Sequence, residues 1–136
     1  MKIFIDTGPV VAFLNKNDQH HSFVEQQMRN YPPPFYICEA VVTESFFLMS
    51  RVPNGEEKLI ELLETPHIQL ESSYSNQPRQ IHEFVKKYSN IPMSFADACL
   101  VQMAEKSKDS LIFTIDRGFQ MYRSSNGNPL SLISPY

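Results

Sequence analysis

Four glycines, two cysteines and no excess of positive charge set the first limits on this 136-residue chain. With so few glycines, no glycine-rich loop able to cradle a phosphate can be drawn anywhere along it. Cys38 and Cys99 lie far apart, each within an apolar stretch, and nothing resembles a CxxC pair. Both read as reduced core residues, neither ligands nor a bridge, which suits a cytosolic setting. The net charge of −3 offers no basic footprint, and this counts against a passive DNA or RNA binder. A nuclease working through bound cations escapes that exclusion, because the cations reverse the local sign. No apolar run approaches the ~18 residues of a membrane span. An acidic charge arrives at Asp6, too early for a signal peptide. The expectation is a cytoplasmic protein with no membrane association.

Histidine is equally unhelpful as a metal signal. His20 and His21 are adjacent, so on a helix they point about 100° apart, and His67 and His82 stand alone without ligand spacing. No internal repeat, low-complexity tract or domain boundary interrupts residues 1–136. What is present is ordinary for a folded domain: 42% hydrophobic and 20% charged residues, enough for a core without disulfides or a structural metal.

Strand and helix signals alternate. Ile3–Ile5 is a short apolar strand ended by Asp6-Thr7-Gly8-Pro9, which opens a helix with Val10 to Leu14 on its inner face. Asp18 is placed to cap a second helix running to about Asn30, with Phe23, Val24 and Met28 inward. Pro32-Pro33-Pro34 is a stiff connector. A strand over Phe35–Cys38 follows, then an apolar helix over Glu39–Val52 closed by Pro53-Asn54-Gly55. Phe46, Phe47 and Met49 are expected in the core. Glu56–Leu63 predicts an amphipathic helix, Ile68–Leu70 a strand, and Pro78–Tyr88 another helix. Ser94 with Asp97 three residues on is a capping box opening a largely buried helix from Phe95. Leu111–Ile115 repeats the logic of the N-terminus, a strand followed by Asp116. A helical turn spans Phe119–Tyr122 and a last strand Leu130–Ile133. Such alternation predicts an α/β domain with a mainly parallel sheet.

Ligands of open parallel sheets bind beyond the carboxyl ends of the strands, where Asp6 and Asp116 are delivered. Asp97 starts the buried helix, and Glu44 lies mid-helix with Ala40, Phe47 and Leu48 one turn away. Each acid has a plainer explanation as a cap, a turn residue or a helix-edge glutamate. Gathered at one edge, they would place several like charges together with no evident partner, which costs stability unless a cation binds. Oxygen-only donors suit Mg²⁺ or Mn²⁺, ions that activate water against a phosphodiester. Arg117 and Arg123 flank the last acid and are candidates for phosphate contacts.

The segments Ile3-Phe4-Ile5-Asp6-Thr7, Thr43-Glu44, Ser94-Phe95-Ala96-Asp97-Ala98 and Phe113-Thr114-Ile115-Asp116-Arg117-Gly118-Phe119 resemble, in order and spacing, the four acidic motifs of PIN domains. Tyr122-Arg123 follows the last motif, and Asp18-Gln19-His20-His21 is similar to the start of that family's second helix. The resemblance spans essentially the whole chain. It implies a single-domain three-layer α/β/α fold over residues 1–136 and a Mg²⁺- or Mn²⁺-dependent ribonuclease. By the same resemblance, Asp6, Asp97 and Asp116 hold the metal, Glu44 completes the catalytic set, and Thr114 orients the carboxylates. Chains of this size resemble VapC-type toxins, which pair with an antitoxin and are often homodimers. Gly8 departs from the family, where a small residue such as serine is common. A non-catalytic PIN-like scaffold binding RNA or a partner protein is the competing reading, disfavoured by an intact set of four acids. A phosphoryl-accepting domain would need a second acid beside Asp6 and a lysine after a late strand, and neither is present.

Overall fold

The computed structural model describes residues 1–136. Five strands, all parallel, form one sheet in the order β3-β2-β1-β4-β5. They are β1 (Lys2–Ile5), β2 (Phe35–Ile37), β3 (Ile68–Leu70), β4 (Ser110–Phe113) and β5 (Leu132–Ile133). β1 takes the central place because Ile3, Phe4 and Ile5 are apolar to both faces and all three are buried, as a strand covered on both sides requires. β4 pairs with it in register from Lys2 with Ser110 to Ile5 with Phe113.

Six helices complete the fold: α1 (Thr7–Leu14), α2 (His21–Asn30), α3 (Glu39–Met49), α4 (Gly55–Leu63), α5 (Pro78–Lys87) and α6 (Phe95–Lys106). The chain builds outward from β1 through β2 to β3, then returns to β4 on the other side of β1. Right-handed crossovers therefore put α1–α4 on one face and α5–α6 on the other. The packing agrees, with α1, α2, α3 and α4 touching one another and α5 resting on α6. This is a three-layer α/β/α architecture, and its strand order reverses between β1 and β4. No helix is long and apolar enough to cross a membrane.

α6 is the most buried helix, with Ala96 through Met103 all inside. Leu100 there joins Phe4, Phe113 and Ile112 in the fully buried centre, where each such side chain contributes about 1.5–3 kcal/mol by leaving water. Cys38 and Cys99 are both buried and free.

Several local expectations are corrected. α3 ends at Met49, short of Val52, because tight turns replace the helix. Val52 N donates to Met49 O at 3.1 Å and Gly55 N to Val52 O at 2.8 Å. Gly55 begins α4 against the end of α3, where a Cβ would lie 2.0 Å from Met49 O. Asp18 does not cap α2. Its carboxylate accepts from His20 N at 2.8 Å, an Asx turn one step upstream of the helix, and the cap position is His20 without a side-chain bond. β4 stops at Phe113 and β5 covers Leu132–Ile133 alone. Phe47 is 59% exposed and Leu48 39%, while Met49 is fully buried. The core-facing stripe of α3 is Val41, Ser45 and Met49, so Glu44, Phe47 and Leu48 share the next stripe, one turn apart.

Candidate active site

Asp6 follows directly on β1. Its backbone N–H donates to Phe113 O at 2.9 Å, continuing the β1–β4 ladder by one rung. Its side chain then turns to cap α1, with Oδ1 accepting from Thr7 N at 2.8 Å. Thr114, one residue past β4, donates its hydroxyl to Asp6 Oδ2 at 2.8 Å. Thr114 Oγ1 in turn accepts from Asp116 N at 3.0 Å. A single buried hydroxyl thus ties together the two aspartates delivered by neighbouring strands. Asp116 itself caps a 3₁₀ turn, Arg117–Gln120, with Oδ1 accepting from Gly118 N at 2.8 Å.

Asp97 arrives from the opposite layer, in the first turn of α6. Its N–H donates to Ser94 Oγ at 3.0 Å and its Oδ2 accepts from Ser94 N at 3.2 Å, so the capping box forms as expected. The carboxylate nevertheless lies in the cleft, so its capping role and its place among the acids coexist. Glu44 comes from α3, and Thr7 Oγ1 donates to its Oε1 at 2.7 Å. Asp6, Glu44, Asp97 and Asp116 all line one cleft of about 710 Å³, with Thr7, Phe47 and Leu48 on the same walls. The four predicted acids therefore meet in one place. Arg117 and Arg123 do not join them. The Arg117 guanidinium stacks 4.0 Å from the centre of the Tyr136 ring, and Arg123 Nη1 donates to the carbonyls of Gln120 and Tyr122 at 2.7 and 2.9 Å.

No cation offsets these charges, since all the ion pairs of the structure lie elsewhere. Burial is the main force pushing the Asp6 carboxyl up, to about 7, and the negative charge of Asp97 adds to it against the hydrogen bonds from Thr114 and Thr7. Asp97 is also raised, first by burial and further by Asp116, against the opposing bonds from Ser94 and Tyr122. These are the directions expected of like charges sharing a dry site.

Tyr122, which follows the last acidic motif, has a role in the site that the sequence pattern does not show. Its fully buried hydroxyl lies 3.1 Å from Asp97 Oδ2 and 3.0 Å from Pro92 O. Burial, reinforced by Asp97, pushes this phenol well above its ordinary value, so it stays a donor. Its contact with Asp97 has no local signal, because it depends on the path of the chain after the 3₁₀ turn. Thr7 stands in the sequence only as the residue after Asp6 in the first acidic motif, and its hydrogen bond to Glu44 comes from the fold. At Gly8 the space for a side chain is taken, since a Cβ would lie 2.6 Å from Ile115 Cγ1.

The donor set suits a hard divalent ion: four carboxylates in one cleft, uncompensated by any cation. In each the protein fixes at least one oxygen, yet Asp97 Oδ1, Asp116 Oδ2 and Glu44 Oε2 receive no protein hydrogen bond. No three acidic, histidine or cysteine side chains already stand close enough to enclose an ion. An ion held here would require the free oxygens to move inward.

A family model, the PIN domain, matches residues 3–123. The chain belongs to the PIN-domain family. Its fold is similar to that of the toxin VapC20 of Mycobacterium tuberculosis, described as cleaving the sarcin–ricin loop, with TM-score 0.74 and 19% identity over 85% of this chain and 90% of that one. A toxin–antitoxin complex from Klebsiella pneumoniae matches with TM-score 0.68 and 14% identity over 100% of this chain and 98% of the other. VapBC2 of Rickettsia felis, solved with a DNA fragment of its promoter, matches with TM-score 0.67 and 15% identity over 98% of each chain. No curated protein matches the sequence.

Proposed function

We propose that this chain is a Mg²⁺- or Mn²⁺-dependent endoribonuclease and the toxin of a VapBC-type pair. It would act in the cytoplasm as a homodimer, held in check by a separate antitoxin. The observation that carries the reading is the meeting of Asp6, Glu44, Asp97 and Asp116 in one cleft without a cation. Membership of the PIN-domain family and the likeness of the fold to VapC toxins support it.

Asp6, Asp97 and Asp116 would hold the ion, which when bound supplies an acidified water and offsets the phosphate's charge. The chain's own contribution is positional. Thr114 holds Asp6 and the Asp116 backbone in one arrangement, Ser94 and Tyr122 orient Asp97, and Thr7 orients Glu44. Glu44 Oε2 is then the atom that accepts a proton from the attacking water. A new P–O bond forms, the bond to the leaving sugar oxygen breaks, and solvent protonates that oxygen.

The test combines Mn²⁺ calorimetry with cleavage of mixed small RNAs by wild type and Asp6→Asn. The expected result is Mn²⁺ binding and cutting in wild type, with cutting reduced by more than about a hundredfold in the variant. Equal cutting by the variant would overturn the reading. The spacing of the acids, no three of which stand close enough to enclose an ion, keeps the non-catalytic scaffold as the second reading. RNA binding without Mn²⁺ binding would establish that one instead.

A further inference from the structure

Beside the acidic cleft lies a second cavity of about 340 Å³ that shares one wall with it, Thr43. Two exposed aromatic rings border it: Tyr74, in the loop after β3, and Phe95, the first residue of α6. Their centres are 5.1 Å apart in an edge-on arrangement. Tyr74 is held in place by a 3.0 Å hydrogen bond between its hydroxyl and His82 Nε2 on α5. Water-exposed aromatic rings fixed in this way contribute nothing to the core, and they lose little further freedom on meeting a ligand. Phe95 follows Ser94 and precedes Asp97 by two positions, so the ring stands within one turn of the acids. Arg79, His82 and Lys86 recur at i, i+3 and i+7 on the exposed side of α5, which also carries Glu83 at i+4. Neither Arg79 nor Lys86 has an acidic partner.

We propose that Tyr74 and Phe95 form a stacking site for an unpaired RNA base flanking the scissile phosphate, with the backbone led away past Arg79 and Lys86 on α5. This inference rests on the ribonuclease reading. Bases of every kind offer a flat face to aromatic side chains, and single-stranded binding sites combine such rings with positive charge along the backbone. Glu39 is the one carboxylate at this cavity. It turns phosphates away from the cavity, leaving room for the uncharged base, while Arg79 and Lys86 offer the phosphates their partners. A second copy of the chain fits less well. Stable interfaces need roughly 800 Å² from each partner, whereas this is a small concavity bordered by two exposed rings.

The test compares wild type, the double variant Tyr74→Ala/Phe95→Ala, Phe95→Trp and the control Ile60→Ala, a half-exposed apolar residue on α4. A mixed-sequence single-stranded RNA is the probe, with Mn²⁺ present. KM should rise roughly tenfold to a hundredfold in the double variant with kcat nearly unchanged. Phe95→Trp should retain wild-type KM, as should Ile60→Ala, and calorimetric Mn²⁺ affinity should be the same in all four. An unchanged KM in the double variant, with wild type cutting normally, would overturn the stacking site and leave the nuclease reading standing. Dissociation of a dimer in the double variant, seen by sedimentation, would overturn it in favour of a second copy on this face. Failure of wild type to bind Mn²⁺ or cut RNA would remove the nuclease reading and this inference together.

Discussion

Asp6 carries an electrostatic cost into the folded state. Buried beside other carboxylates, its proton affinity rises from the ordinary 3.8 to about 7. A raised pKa means the folded state holds this proton more tightly than the unfolded chain, so stability falls as pH climbs through that window. Without divalent metal, Asp6→Asn should therefore stabilise the protein near pH 8, by on the order of 2–4 kcal/mol. The gain should shrink steadily as pH is lowered toward 4, and thermal melts across that range with chelator present would measure it. A variant no more stable than wild type at pH 8 would contradict the electrostatics described above. Tyr122 and Thr114 make the complementary case, since neither carries charge and both orient charge. Thr114→Val should weaken Mn²⁺ binding by about tenfold to a hundredfold, and calorimetry reads that directly. Tyr122→Phe removes one donor from the Asp97 and Pro92 acceptors and should cost about 1–2 kcal/mol in denaturant unfolding.

At the level of elements, the three aspartates are legible because they sit where strands and helices begin and end. Asp6 and Asp116 follow short apolar strands, and Ser94 with Asp97 announces the start of α6 by its own capping chemistry. Local pattern also located β3 at Ile68–Leu70 without error. It fails where a segment's fate depends on what packs against it. The end of α3 is decided by Gly55, whose missing side chain lets α4 start against Met49 O. Gly55→Ala should accordingly destabilise the protein by about 2 kcal/mol or more, through overpacking, as measured in urea. Phe47 shows the same limit from another side. The apolar run of α3 does not reveal which stripe meets the sheet, and the ring lies at the acidic cleft, 4.7 Å from the Arg51 guanidinium.

For the whole molecule, the strand order is what turns scattered acids into a site. Putting β1 between β2 and β4 makes Ile5 and Phe113 partners, so Asp6 and Thr114 emerge side by side although 108 positions separate them. Alternating elements predict a parallel sheet, but only long-range pairing decides which strands are neighbours. For that reason the role of Tyr122 and the aromatic pair Tyr74–Phe95 could not be read in advance. The modest negative net charge is compatible with the proposed metal dependence, in which bound cations would supply the positive charge at the site.

The most direct test of this account is cleavage of a mixed small-RNA pool by wild type and Asp97→Asn, with Mn²⁺ and with chelator. The account predicts cutting by wild type in Mn²⁺ alone, abolished by chelator and reduced by more than about a hundredfold in the variant. Cutting that persists in chelator, or that Asp97→Asn performs at the wild-type rate, would contradict it.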